Sequence, residues 1–229
     1  MVPVDLFQVA GLTEGSLDLG AVPATVRTWS AVAYVPAACL LAKVDFLGDG
    51  FDEQMRSAGL QVLGPCERLS QWPGLLEASP LLEDFRPAEA DLLGALMLHV
   101  RAQPGQMLIV EGDANDWMML LLRGTVDVGK RKVGAGGDRE ELGDNTRLAV
   151  LREGAVLGEM SMFDGEPRYA SCWALSEVEA AVLDRPAVAL LIRTRPDIGA
   201  KLLVKLTQLL AQRLRNTSNQ LVKMLQAQR

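Results

Sequence analysis

Between Val156 and Trp173 the chain reads VLGEMSMFDGEPRYASCW, and nearly every residue type there has a chemical use. Arg168 offers a planar, permanently charged fork that matches two oxygens of a phosphate. Ala170 and Ser171 are small enough for backbone N–H groups to approach an anion closely, as amide nests require. Gly158-Glu159 opens a segment, Glu159–Phe163, long enough for one or two helical turns. A helix start presents unpaired N–H groups and favours negative charge. Glu159 can only accept hydrogen bonds, so a sugar hydroxyl suits it and a phosphate does not. Together these residues ask for a ligand with one phosphate and one free ribose hydroxyl. The competing reading is an exposed Glu159–Arg168 ion pair beside an ordinary hairpin, and it leaves the glycine, proline and small residues without a purpose.

The run Gly158, Glu159, Met160, Ser161, Met162, Phe163, followed by Pro167, Arg168, Ala170 and Ser171, resembles the phosphate-binding cassette of cyclic-nucleotide-binding domains. That resemblance implies that Arg168, Tyr169, Ala170 and Ser171 take the cyclic phosphate. It implies that Gly158, Glu159 and Met160 take the ribose, that cAMP is the expected ligand ahead of cGMP, and that no other cofactor is needed. Tyr169 departs from the small residue usual after this arginine. Cyclic-GMP-selective kinases, which resemble this site, place Thr there; Tyr169 would either stack on the ligand or crowd it.

Such a cassette needs a scaffold. Short strands are expected at His99–Arg101, Met107–Val110, Trp117–Arg123, Thr125–Val128, Leu148–Leu151, Ala170–Ala174 and Glu177–Asp184, punctuated by Gly105, Gly112, Gly124, Gly154 and Gly158. Regular short strands with glycine turns indicate an antiparallel sandwich or barrel, not a βαβ sheet. Apolar spacing predicts helices over Leu75–Leu82 and Pro87–Leu98, the latter with proline in its first turn. The resemblance implies an α+β fold: an antiparallel β jelly-roll barrel (a double-stranded β-helix) with flanking short helices and a long C-terminal helix. It makes Pro186–Thr194 a hinge helix. Gly129–Arg147, rich in glycine and charge, reads as the mobile tip of a hairpin. The expected organisation is an extension of unknown role over 1–68, the nucleotide-binding barrel over 69–196 and a dimerisation helix over 197–229. Within the extension, Ala31–Val44 is expected to form a buried helix and Gln54–Val62 a short element.

The last helix, expected from about Ile198 to Leu225, would be roughly 40 Å long at about 1.5 Å per residue. Leu203, Leu206, Leu210, Leu214, Thr217, Leu221 and Met224 follow one another at three- and four-residue spacing. A stripe that long outruns its own barrel and predicts a parallel homodimer. Thr217-Ser218 resembles a pair that meets the adenine amino group in catabolite-activator-type members, which makes these two residues candidate base contacts. The interval from Pro196 to this pair is about one turn longer here. A polar step that tunes a coiled-coil seam is the other reading.

Composition closes off several classes. With one histidine, His99, and three scattered cysteines, Cys39, Cys66 and Cys172, no metal cluster is expected. No nucleophile–base pair is visible, so no catalytic residue is assigned and no enzyme is expected. The longest apolar run, Ala31–Ala42, is about half the ~20 residues that a membrane span requires. The absence of a signal-like start adds to the expectation of a soluble, cytoplasmic protein. Net charge is −6, yet from Arg193 onward eight Lys/Arg face one acid, Asp197. An acidic body argues against general nucleic-acid binding, while the basic tail reads as a solvated helix face or a contact for an anionic partner. Eleven residues follow Ser218, too few for a helix-turn-helix reader, so DNA is not an expected partner. The sequence therefore predicts a cyclic-nucleotide-binding regulatory or sensor protein acting in signal transduction through an unidentified protein effector. A scaffold of the same fold that binds no nucleotide, and a DNA-binding regulator of catabolite-activator type, are the alternatives.

Overall fold

In the computed structural model, residues 49–131 and 145–227 are described. All fall in one of the two compact units into which the chain divides, the one from Ala33 to Arg229. The helix expected over Ala31–Val44 and the tip of the hairpin expected within Gly129–Arg147 lie outside the described residues.

The described chain runs α1 (Asp49–Ser57), β1 (Gln61–Pro65), a 3-10 turn (Leu69–Gln71), α2 (Leu75–Ala78) and α3 (Pro87–Gly94). Strands β2 (Leu98–Ala102), β3 (Met107–Ile109), β4 (Trp117–Arg123), β5 (Val126–Arg131), β6 (Asn145–Leu151) and β7 (Val156–Leu157) follow. Helix α4 (Glu159–Asp164) leads into β8 (Ser171–Ala174) and β9 (Val178–Asp184). Helices α5 (Arg185–Thr194) and α6 (Pro196–Ala227) end the described chain. The strands form two antiparallel sheets, ordered β1-β2-β9-β4-β7 and β3-β8-β5-β6.

Strand β4 explains the layering. Trp117, Met119 and Leu121 join the core between the sheets, with Val100, Ile109, Val126, Cys172 and Val182. Met118, Leu120 and Leu122 point the other way, into a second core built with Leu82, Leu93, Met162, Leu191, Ile198, Leu202 and Leu206. A strand covered on both faces reads as a continuous apolar run, and WMMLLL is such a run. Helices α2, α3, α5 and α6 therefore pack on the outer face of the first sheet, and α4 belongs to that same core through Met162.

Three expectations need correction. The helix foreseen over Pro87–Leu98 stops at Gly94, and Leu98 opens β2 with its side chain between the sheets. Leu75–Leu82 holds only the single turn Leu75–Ala78 before Pro80; Ser79 leaves the turn to donate its hydroxyl to Gly154 O at 2.8 Å. Gln54–Val62 is not one element: α1 ends at Ser57, Gly59 turns with φ 82°, and β1 starts at Gln61. Since β1 pairs with β2 and Met55 is wholly buried between the sheets, the β structure begins before Leu69. Gly64-Pro65 reads as punctuation in the sequence, but Pro65 ends an edge strand, where its missing N–H is tolerated. His99, on β2, hydrogen bonds through Nε2 to Glu179 Oε2 at 2.7 Å and meets Trp72 edge-on, a structural placement.

Candidate functional site

A cavity of about 520 Å³, counting its open mouth, lies between the second sheet, α4 and α6. Its apolar wall is Ile109, Val128, Leu148, Leu151 and Leu157; its polar lining is Gly158–Ser161, Arg168–Ala170 and Arg213.

Arg168 is 3% exposed and held from several sides. Its Nη1 donates to Gly158 O at 2.5 Å, its Nη2 to Trp117 O at 2.6 Å, and its guanidinium stacks 4.2 Å from the Trp117 ring. Its backbone is clamped to the β3–β4 loop: the Arg168 N–H donates to Asp113 O and the Gly112 N–H to Arg168 O. The buried Nε has no hydrogen-bond partner among the described residues. Burial pulls the Arg168 pKa down to about 10, so the group remains a cation at neutral pH. Gly158 makes room for it. With φ 77° the residue sits in the left-handed region, and a Cβ there would lie 2.7 Å from Arg168 Nη1.

Glu159, the first residue of α4, is 1% exposed. Its Oε1 accepts from Nη1 of Arg213, which projects from α6, and Arg213 Nη2 donates to Val156 O. The lining thus carries two guanidiniums against one carboxylate, a surplus of one positive charge. Cys172 lies in the wall, and burial pushes its thiol up to about 12, which keeps it neutral.

The structure brings Gly158, Glu159, Met160, Arg168, Tyr169 and Ala170 to one cavity. Ser171 is fully buried outside the lining; its Oγ accepts the Glu111 N–H at 2.9 Å and so braces the loop beside the cassette. Thr217 and Ser218 lie outside the lining as well. Both are exposed, and the Thr217 hydroxyl donates to Arg213 O in its own helix. The α6 residue that reaches the site is Arg213, one turn earlier. Sequence reasoning missed it, although its i−4 offset from Thr217 puts it on the same helical face. It also missed Arg185, the first residue of α5, which donates from Nε to Met162 O at 2.9 Å and from Nη2 to Ser161 O at 3.3 Å. Arg185 ties α5 to α4, and Arg213 ties α6 to α4.

Comparison with known proteins agrees with this geometry. The family description "Cyclic nucleotide-binding domain" matches residues 99–195. A CRP-like cAMP-activated global transcriptional regulator from Mycobacterium tuberculosis is 31% identical over 147 residues, 64% of this chain and 60% of that protein. A cAMP-dependent protein kinase regulatory subunit from Yarrowia lipolytica is 27% identical over 53% of this chain and 30% of its own length. The crystal structure of a cyclic nucleotide-binding domain from Methylobacillus flagellatus superposes with a TM-score of 0.62 at 32% identity, covering 73% of this chain and 90% of that one. The chain spans about 60% of the length of the bacterial regulator and less of the kinase subunit. Its cassette, its two-sheet barrel and these likenesses agree, and the chain belongs to the cyclic-nucleotide-binding domain family, of the kind found in catabolite-activator-type proteins.

Proposed function

We propose that the cavity binds a cyclic mononucleotide, cAMP ahead of cGMP, and that the chain is a regulatory sensor rather than an enzyme. The observation that carries this is the charge balance: a buried Arg168 in surplus beside a carboxylate that can only accept. One anionic group and one hydroxyl satisfy both. Arg168 and the amides of Tyr169 and Ala170 take the cyclic phosphate. Glu159 keeps one oxygen on Arg213 and offers the other to the ribose 2′-hydroxyl, beside the Gly158 backbone and Met160. Charge-assisted bonds of this kind contribute about 1.5–3 kcal/mol each. The cAMP named in the bacterial and kinase-subunit relatives supports the choice of ligand.

Ligand taken up at the cassette shifts α4, and α4 is tied to α5 through Arg185 and to α6 through Arg213. The output is a change in the position of α6, driven only by the difference in ligand affinity between two arrangements. Exposed Leu214, Leu221, Met224 and Leu225 on the distal half of α6 support a homodimer, which sedimentation at micromolar concentration would register. The further partner is a protein effector of unidentified nature, and DNA is not part of this reading.

Titration of the purified chain with labelled cAMP tests the proposal. Saturable binding is expected, and a folded protein that shows none up to millimolar ligand refutes it. A second reading, a scaffold that binds no nucleotide, draws on one observation: both terminal nitrogens of Arg168 already serve backbone carbonyls. The same titration separates the two.

A further inference from the structure

Tyr169 is the residue of the cavity with the most surface to spare, at 56% exposed. Its ring is nevertheless held. The Lys130 ammonium, from the end of β5, sits 4.1 Å from the ring centroid and donates to Tyr169 O at 2.7 Å. One cation therefore fixes both the backbone and one face of the ring. Lys130 is itself held by Glu111 Oε1 at 3.0 Å, and Glu111 Oε2 accepts the Arg131 N–H at 2.9 Å. A cation over one face of an aromatic ring is attracted by the ring quadrupole and leaves the opposite face for a second flat group. Tyr169 follows Arg168 in the chain and lines the same cavity, where the anionic end of a ligand belongs. The half-exposed Leu148, on the apolar wall of the same cavity, adds a second surface for a flat apolar body.

We infer that Tyr169, pinned by Lys130, is a stacking platform for the base of the bound nucleotide and sets a preference for purine over pyrimidine. The inference rests on the cyclic-nucleotide reading of the site. Stacking is set by ring area, since every base has a π face, so this platform separates large bases from small ones far better than adenine from guanine. The tyrosine at this position, unusual beside a cassette arginine, thereby acquires a purpose.

The test measures binding of four ligands to the full chain: cAMP, cGMP, cyclic CMP and a base-free methyl ribofuranoside 3′,5′-cyclic phosphate. Wild type, Tyr169→Phe, Tyr169→Ala and Lys130→Met are compared. Tyr169 is an exposed residue of the cavity lining and Lys130 packs against it, and circular dichroism checks that each variant folds. Tyr169→Ala is expected to weaken both purine nucleotides about tenfold and leave the base-free ligand unchanged. Tyr169→Phe should bind like wild type, and Lys130→Met should lose part of the purine preference. Equal weakening of all four ligands by Tyr169→Ala, or none, overturns the inference while leaving the cyclic-nucleotide reading intact. A wild-type chain that binds none of the four overturns both.

Discussion

At the scale of single residues, Arg168 carries the site and Gly158 makes its position possible. The guanidinium bridges two carbonyls, Gly158 O and Trp117 O, and stacks on an indole, so its depth is set by three partners rather than one. Arg168→Leu removes the surplus charge and should weaken cyclic-nucleotide binding by one to three decades, about 1.4–4 kcal/mol, in an isothermal titration. Arg168→Lys keeps the charge but lacks the fork, and should recover only part of that loss. Gly158→Ala tests the partner. A methyl group 2.7 Å from Arg168 Nη1, on a backbone with φ 77°, must displace the guanidinium and strain the turn. Its expected signature is a loss of affinity of at least about tenfold together with a thermal destabilisation of about 1 kcal/mol. Unchanged affinity in Gly158→Ala would mean that the guanidinium is not held where the ligand needs it.

At the scale of elements, α4 is the junction, being tied to α5 by Arg185 and to α6 by Arg213. Arg185 lies outside the cavity lining, so Arg185→Met should leave nucleotide affinity within about twofold, as expected of a residue that touches no ligand. It should abolish the ligand-dependent change in amide hydrogen exchange along α5, while α6, which keeps its own tie to α4 through Arg213, retains its change. A variant that keeps the α5 change would show that the signal does not pass through α4–α5. These links mark the limit of what the sequence discloses. WMMLLLR and the cassette itself are legible because local pattern and final environment agree. Arg185 and Arg213 are ordinary charged residues at helical positions. Their partners, Met162 O and Glu159, lie 23 and 54 residues away, and no spacing rule connects them. Pro87–Leu98 fails for a related reason: helical spacing of apolar residues continues across a boundary that tertiary pairing sets.

At the scale of the molecule, α6 is two helices in one. Its first three turns bury Ile198, Leu202 and Leu206 and are fastened to the helical lead-in by ion pairs, Lys201 with Glu89 at 2.6 Å and Lys205 with Asp84 at 2.5 Å. Its distal half is exposed. Helix α6 is thus anchored by charge at one end, and that anchorage depends on pH. Glu89 holds its carboxyl down at about 2 against an ordinary 4.5, through the Arg86 guanidinium first, then Lys201 and the Arg86 N–H. Because the folded-state value is depressed, the stabilisation is complete above about pH 4.5 and is lost as pH falls toward 2. Above pH 5 wild type should melt higher than Glu89→Gln; the gap should narrow below pH 4.5 and close near pH 2. The amides of the first α6 turns should lose exchange protection over the same interval. Asp197, also depressed by Arg195, remains in both proteins and cancels in the difference. A gap that stays constant from pH 6 to 2 would show that the Glu89 carboxylate is not what fastens α6 to the lead-in, and the anchor would then rest on the Lys205–Asp84 pair and the apolar contacts of Ile198, Leu202 and Leu206.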